Sequence, residues 1–84
     1  MPYIPKGERI ELEDRARKTG NMALTPGQLN FAITTAIISY LGSDPHYKDY
    51  NEVIGVLECA KLELYRRMVA PYEDRARDRN GDVY

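Results

Sequence analysis

The chain reads as an all-α protein, and three observations predict it. Apolar residues recur near 100° per residue through two long stretches. A helix-start signature stands ahead of the first stretch. Proline, glycine and asparagine fall between the stretches and after them. The expected architecture is a short N-terminal helix followed by an antiparallel helical hairpin. The second hairpin helix is long and kinked near Pro71, and the hairpins assemble into an oligomeric helical bundle. Residues 1–84 form a single helical domain, with 1–7 as an extended N-terminal segment and 80–84 as a C-terminal tail.

The longest helical signal runs from Asp49 to Asp74 and organises the rest. Asp49, with Glu52 three residues on, has capping-box spacing and is the expected N-cap. Strong helix formers follow from Leu57 to Leu64. Pro71 lacks a backbone donor and is expected to kink or end the helix near Val69 and Ala70. Val53, Leu57, Ala60, Leu64 and Met68 share one line, which Ile54, Leu62, Tyr65 and Val69 widen into an arc. That arc is broader than one partner helix needs, which predicts a bundle and self-association. Glu58 and Lys61 lie inside it. Two readings are open for them: an ion pair at a bundle or subunit interface, or a ligand contact in which Glu58 accepts a donor and Lys61 meets a phosphate.

Upstream, the prolines and glycine of MPYIPKG predict extended chain. Glu8 to Lys18 can form a short surface helix, which Thr19, Gly20 and Asn21 are expected to break. EDRAR occurs at Glu13–Arg17 and again at Glu73–Arg77, where alternating charge suits solvated turns. Thr25 as N-cap, Pro26 at the first helical position and Gln28 three residues after the cap predict a second helix reaching Leu41, with Gly42 just past its end. Its faces are Leu29, Ile33, Ala36, Ile37 and Tyr40 on one side, and Phe31 with Ile38 on another. Asn30 and Thr34 project between the faces, toward Glu58 across the bundle or toward a bound molecule. SDPHYK is the expected reversing turn. His46, Tyr47 and Tyr50 cluster at its end, either as the cap of a small core or as a base-stacking surface beside a helix N-terminus. Asn80-Gly81 stops any helix beyond Pro71.

Composition excludes several functions. With 84 residues, 12 basic and 13 acidic side chains and a net charge of −1, no overall field favours nucleic acid or an anionic membrane. One cysteine, Cys59, and one histidine, His46, leave no thiolate cluster for zinc and no histidine-based metal site within a chain. The longest apolar stretch, Phe31 to Leu41, is too short to span a bilayer, and nothing reads as a signal peptide. A cytoplasmic protein with no cofactor and no metal is expected. Catalytic templates are missing: there is no phosphate-cradling glycine-rich loop, no HExxH and no nucleophile elbow. The expected activity is non-enzymatic.

GQLNFAITTAIISYL, NEVIGVLECAKLELYRRMVAPYED and the terminal NGDVY resemble a family of small uncharacterised proteins of phages and prokaryotes. The match runs over most of the chain and implies a phage or prophage origin. Leu57-Glu58-x-Ala60 late in the hairpin is similar to the phage anti-CBASS sponge family of helical-hairpin oligomers. That resemblance implies sequestration of cyclic nucleotide immune signals between subunits. On this reading Tyr47, Tyr50, Tyr65 and Tyr72 stack on the ligand, Glu58 accepts a donor, and Lys61, Arg66, Arg67 and Arg75 neutralise phosphate. The expected partners are a second copy of the chain and a signalling nucleotide. The alternative is a helical inhibitor or adaptor that uses the same apolar arc to grip a host protein.

Overall fold

The computed structural model describes residues 2–84; Met1, the start of the expected extended segment, lies outside the described residues. Every regular element among the described residues is helical: α1 Lys6–Met22, α2 Pro26–Leu41, α3 Tyr47–Leu64 and α4 Ala70–Asn80. A π-type turn at Tyr65–Val69 joins α3 to α4 without a break, so the third helix is long, at 34 residues. The chain divides into two compact units, Pro2–Val53 and Ile54–Tyr84, and the boundary crosses α3.

In the first unit, α1 is longer than the sequence predicts. It takes in Lys6 and Gly7 and runs through Thr19, Gly20 and Asn21. A lone helical glycine costs only about 1 kcal/mol against alanine, and the Thr19 hydroxyl donates back to the Arg15 carbonyl at 3.0 Å. The helix closes when the Ala23 N–H donates to the Gly20 carbonyl. Ile10 and Leu12 remain exposed. The polar surface of α1 carries i,i+4 ion pairs, Glu13 with Arg17 and Asp14 with Lys18, as a solvated helix would.

α2 begins as its sequence predicts. The Gln28 N–H donates to Thr25 Oγ1 at 3.1 Å, and Pro26 takes the first turn, where no donor is needed. The reciprocal half of the box is displaced by one residue: Gln28 Oε1 accepts from the Leu24 N–H at 2.6 Å. Gly42 ends the helix at φ 74°, ψ −159°, and its N–H donates to the Ile38 carbonyl. Thr34 donates to Asn30 Oδ1 at 3.1 Å. These two polar residues therefore satisfy one another along the helix.

The start of α3 corrects one expectation. The helix begins at Tyr47, so Asp49 is its third residue and not its N-cap. Asp49 Oδ2 accepts the His46 N–H at 2.9 Å, while the Asp49 and Tyr50 N–H groups donate to the His46 carbonyl. A carboxylate at the third position reaching back to the cap N–H is the second half of a capping box, and it moves the helix start upstream. Burial in this unit gathers at the α2–α3 connection. Ile37, Leu41, Pro45 and Asp49 are half-buried, and Val53, 8% exposed, is the one buried hydrophobic among the described residues.

The second unit is the rest of α3, the π turn, α4 and the tail. Ile54, Leu57, Leu62, Leu64, Tyr65 and Met68, all part of the expected apolar arc, are exposed here. Pro71 does not end the helix. Its ring would clash with the carbonyl four residues back in a regular α-helix. The chain widens before it, and the Ala70 N–H donates five residues back to the Tyr65 carbonyl. The irregularity expected at Pro71 therefore takes the form of one π turn. α4 closes at Gly81, φ 92°, whose N–H donates to the Arg77 carbonyl at 2.8 Å. The Tyr84 N–H donates to Asp82 Oδ1 in the short tail.

Candidate ligand-binding site

The nine candidate residues all lie on the long helix, in two groups that follow the two units. Tyr47 and Tyr50 stand on the first turn of α3, in the first unit, with much of each ring exposed. A helix start attracts anions through its free N–H groups and its dipole. Here that role is already filled by the Asp49 carboxylate on the His46 N–H. Asp44 Oδ2 lies 3.8 Å from His46 Nε2, which adds a second negative group. This end of the helix therefore offers tyrosine faces rather than a phosphate cradle.

Glu58, Lys61, Tyr65, Arg66, Arg67, Tyr72 and Arg75 belong to the second unit. Lys61 Nζ lies 3.1 Å from Glu58 Oε1, with both side chains more than half exposed. The pair runs along one helix face and in solvent, where such a pair contributes a few tenths of a kcal/mol, on the order of 0.3. Arg66 is held by Glu63 through both Nε and an amino nitrogen. Glu63, at 18% side-chain exposure, is the most shielded acid in an ion pair among the described residues. That shielding makes Arg66 a structural cation first. Arg67 and Arg75 differ, because neither has a carboxylate within 4.0 Å among the described residues. They are the cations of this group left with charge to offer. Tyr65 and Tyr72, both exposed, are the aromatic surfaces of the same unit.

The sequence reading did not anticipate a concavity at the C-terminal end of α4. It has a volume of about 560 Å³, and Glu73, Asp74, Arg77, Asn80, Asp82 and Tyr84 are among its lining residues. None of the nine candidates lines it. It arises where the chain turns at Gly81, a position legible in the sequence only as a helix stop. Its carboxylates make it unsuited to an anion. Cys59 is a free, exposed thiol on α3. No group of three or more metal-binding side chains occurs among the described residues.

A family model described as a domain of unknown function, DUF6899, matches residues 1–83. The chain belongs to this family. The resemblance to an uncharacterised family read from its helical segments is thereby borne out. No curated protein and no solved structure matches it. No helix among the described residues of this DUF6899 chain is long and apolar enough to cross a membrane.

Proposed function

We propose that the chain is a non-enzymatic binding protein, phage-encoded and active in the host cytoplasm, that sequesters a small anionic ligand. A cyclic nucleotide used as an immune signal is the concrete candidate. It acts as a homo-oligomer, and the proposal keeps the antiparallel hairpins expected from the sequence as the units of a bundle. The observation that supports it is the pair of unpartnered guanidiniums, Arg67 and Arg75, on the helical unit that also exposes Tyr65 and Tyr72. Arginine recognises phosphate through charge-assisted, often bidentate hydrogen bonds. Tyrosine faces stack on bases without demanding a sequence.

Native mass spectrometry with a panel of cyclic and linear nucleotides tests this reading. Stoichiometric mass steps on a discrete oligomer are expected. Arg67→Ala and Arg75→Ala should each weaken binding about tenfold or more while the oligomer persists. Arg66→Ala should act mainly on helix stability, through the loss of Glu63's partner. An oligomer that takes up no nucleotide from the panel would sink the sponge reading.

A second reading, a helical inhibitor or adaptor of a host protein, is favoured by a different observation. Phe31, Ile38 and Tyr40 leave much of α2's apolar surface exposed, and amphipathic helices of this kind seat in partner grooves. A protein that stays monomeric in solution and binds a host protein stoichiometrically would favour it over the sponge.

A further inference from the structure

The self-association in the proposed function can be given a face, a partner orientation and a pairing rule, and this inference rests on that reading. On the long helix the apolar residues Ile54, Leu57, Leu64 and Met68 are exposed, and Glu58 and Lys61 give the same face one charge of each sign. A face that carries both signs beside an apolar line is complementary to a second copy of itself.

The long helix shows where that copy sits. Ile54, Leu57, Lys61, Leu64 and Met68 follow alternating steps of three and four, the a and d positions of a heptad. The four apolar members are all exposed, from Leu57 at 38% to Ile54 and Met68 at 65%. The one polar member is Lys61, at a central a position, with Glu58 beside it at 3.1 Å. A single charged residue at such a position specifies how two helices meet. In a parallel pair, the two copies of Lys61 would face each other across the seam as like charges. In an antiparallel pair, a positions face d positions, and this repulsion disappears.

We propose that two copies pair antiparallel along this seam, about a two-fold axis that crosses the helix at the level of Cys59. In this register Ile54 packs against Leu64 of the other copy, and Leu57 packs against the aliphatic stem of Lys61. The Lys61 ammonium then lies at the level of the other copy's Glu58, so each pair of opposite charges is made twice, once per chain. The contact is isologous and closes on itself, as a two-fold interface must.

Charge reversal tests the arrangement on the full chain. Glu58→Lys makes this part of the seam wholly cationic, and Lys61→Glu makes it wholly anionic. Each variant alone should self-associate about tenfold or more weakly than the unaltered chain, because like charges then meet across the axis. Mixed one to one, the two variants should form a heterodimer, since every cross-chain pair is again opposite in sign. An ion pair confined to one chain cannot give that rescue, because each variant keeps its own like-charge pair. Native mass spectrometry reads the species, and circular dichroism reads the helix. A variant that loses helix alone and regains it on mixing supports the pairing. The proposal is overturned if the unaltered chain is monomeric, if either variant assembles as the unaltered chain does, or if the mixture fails to pair. Dimers that form by this rule and bind no nucleotide would leave the pairing standing and remove the ligand reading.

Discussion

Gly42 sits at φ 74°, ψ −159°, a region that essentially only glycine populates. Its N–H ends α2 on the Ile38 carbonyl. Gly42→Ala is expected to cost about 1–3 kcal/mol, read as a lower denaturation midpoint at unchanged slope. Thr25→Ala should cost about 1 kcal/mol, since Thr25 Oγ1 accepts the Gln28 N–H. If hydrogen exchange in the first turn of α2 stayed as slow as before, that cap would not be holding the helix. Both positions were legible because each has a local chemical demand that a sequence displays: a conformation only glycine tolerates, or a hydroxyl ahead of free N–H groups. Asp49 was legible only by half. Its spacing announces a capping box, but aspartate serves either end of that box. The choice fell to the His46 N–H, which only the folded chain brings within 2.9 Å.

Along whole elements, the π turn before Pro71 has a consequence for the apolar line of the long helix. Continued in regular steps from Met68, the line would reach Pro71. A π turn holds one residue more than an α turn, so Tyr72 takes that place. Pro71→Ala removes the ring that forces the widening and should return Tyr65–Val69 to regular α-helix, rotating Tyr72 off the line by about 100°. Backbone amide and carbonyl shifts would show the change. Retention of the π pattern in the variant would mean that something other than the proline ring sustains it. Pro71 told the sequence reader that a disturbance was due but not its form, since a kink, a stop and a π turn all answer the same clash. α1 shows the opposite error. Thr19-Gly20-Asn21 reads as a breaker, yet each residue is only mildly unfavourable in a helix, and none removes a donor as proline does.

For the molecule as a whole, the sequence shows which side chains make an apolar face, and most of the large ones stand exposed. The wide arc from Val53 to Val69 predicted more contacts than one hairpin offers; Val53 is buried, and most of the other large side chains of the arc are exposed. A periodic pattern marks an apolar face without saying what meets it, so the site residues could be placed on the helix but not assigned a neighbour. If a second copy covers the face, folding and assembly are one process, and stability depends on concentration. A hundredfold rise in chain concentration should then add about 2.7 kcal/mol of apparent stability, seen as a rising thermal midpoint. A midpoint indifferent to concentration would separate folding from association. Cys59, exposed on the long helix and the only cysteine in the sequence, gives each chain one natural point of dye attachment. Donor-labelled and acceptor-labelled batches could be combined and followed as energy transfer grows. Subunit exchange would then be timed directly, showing whether the assembly is permanent or trades members while it works.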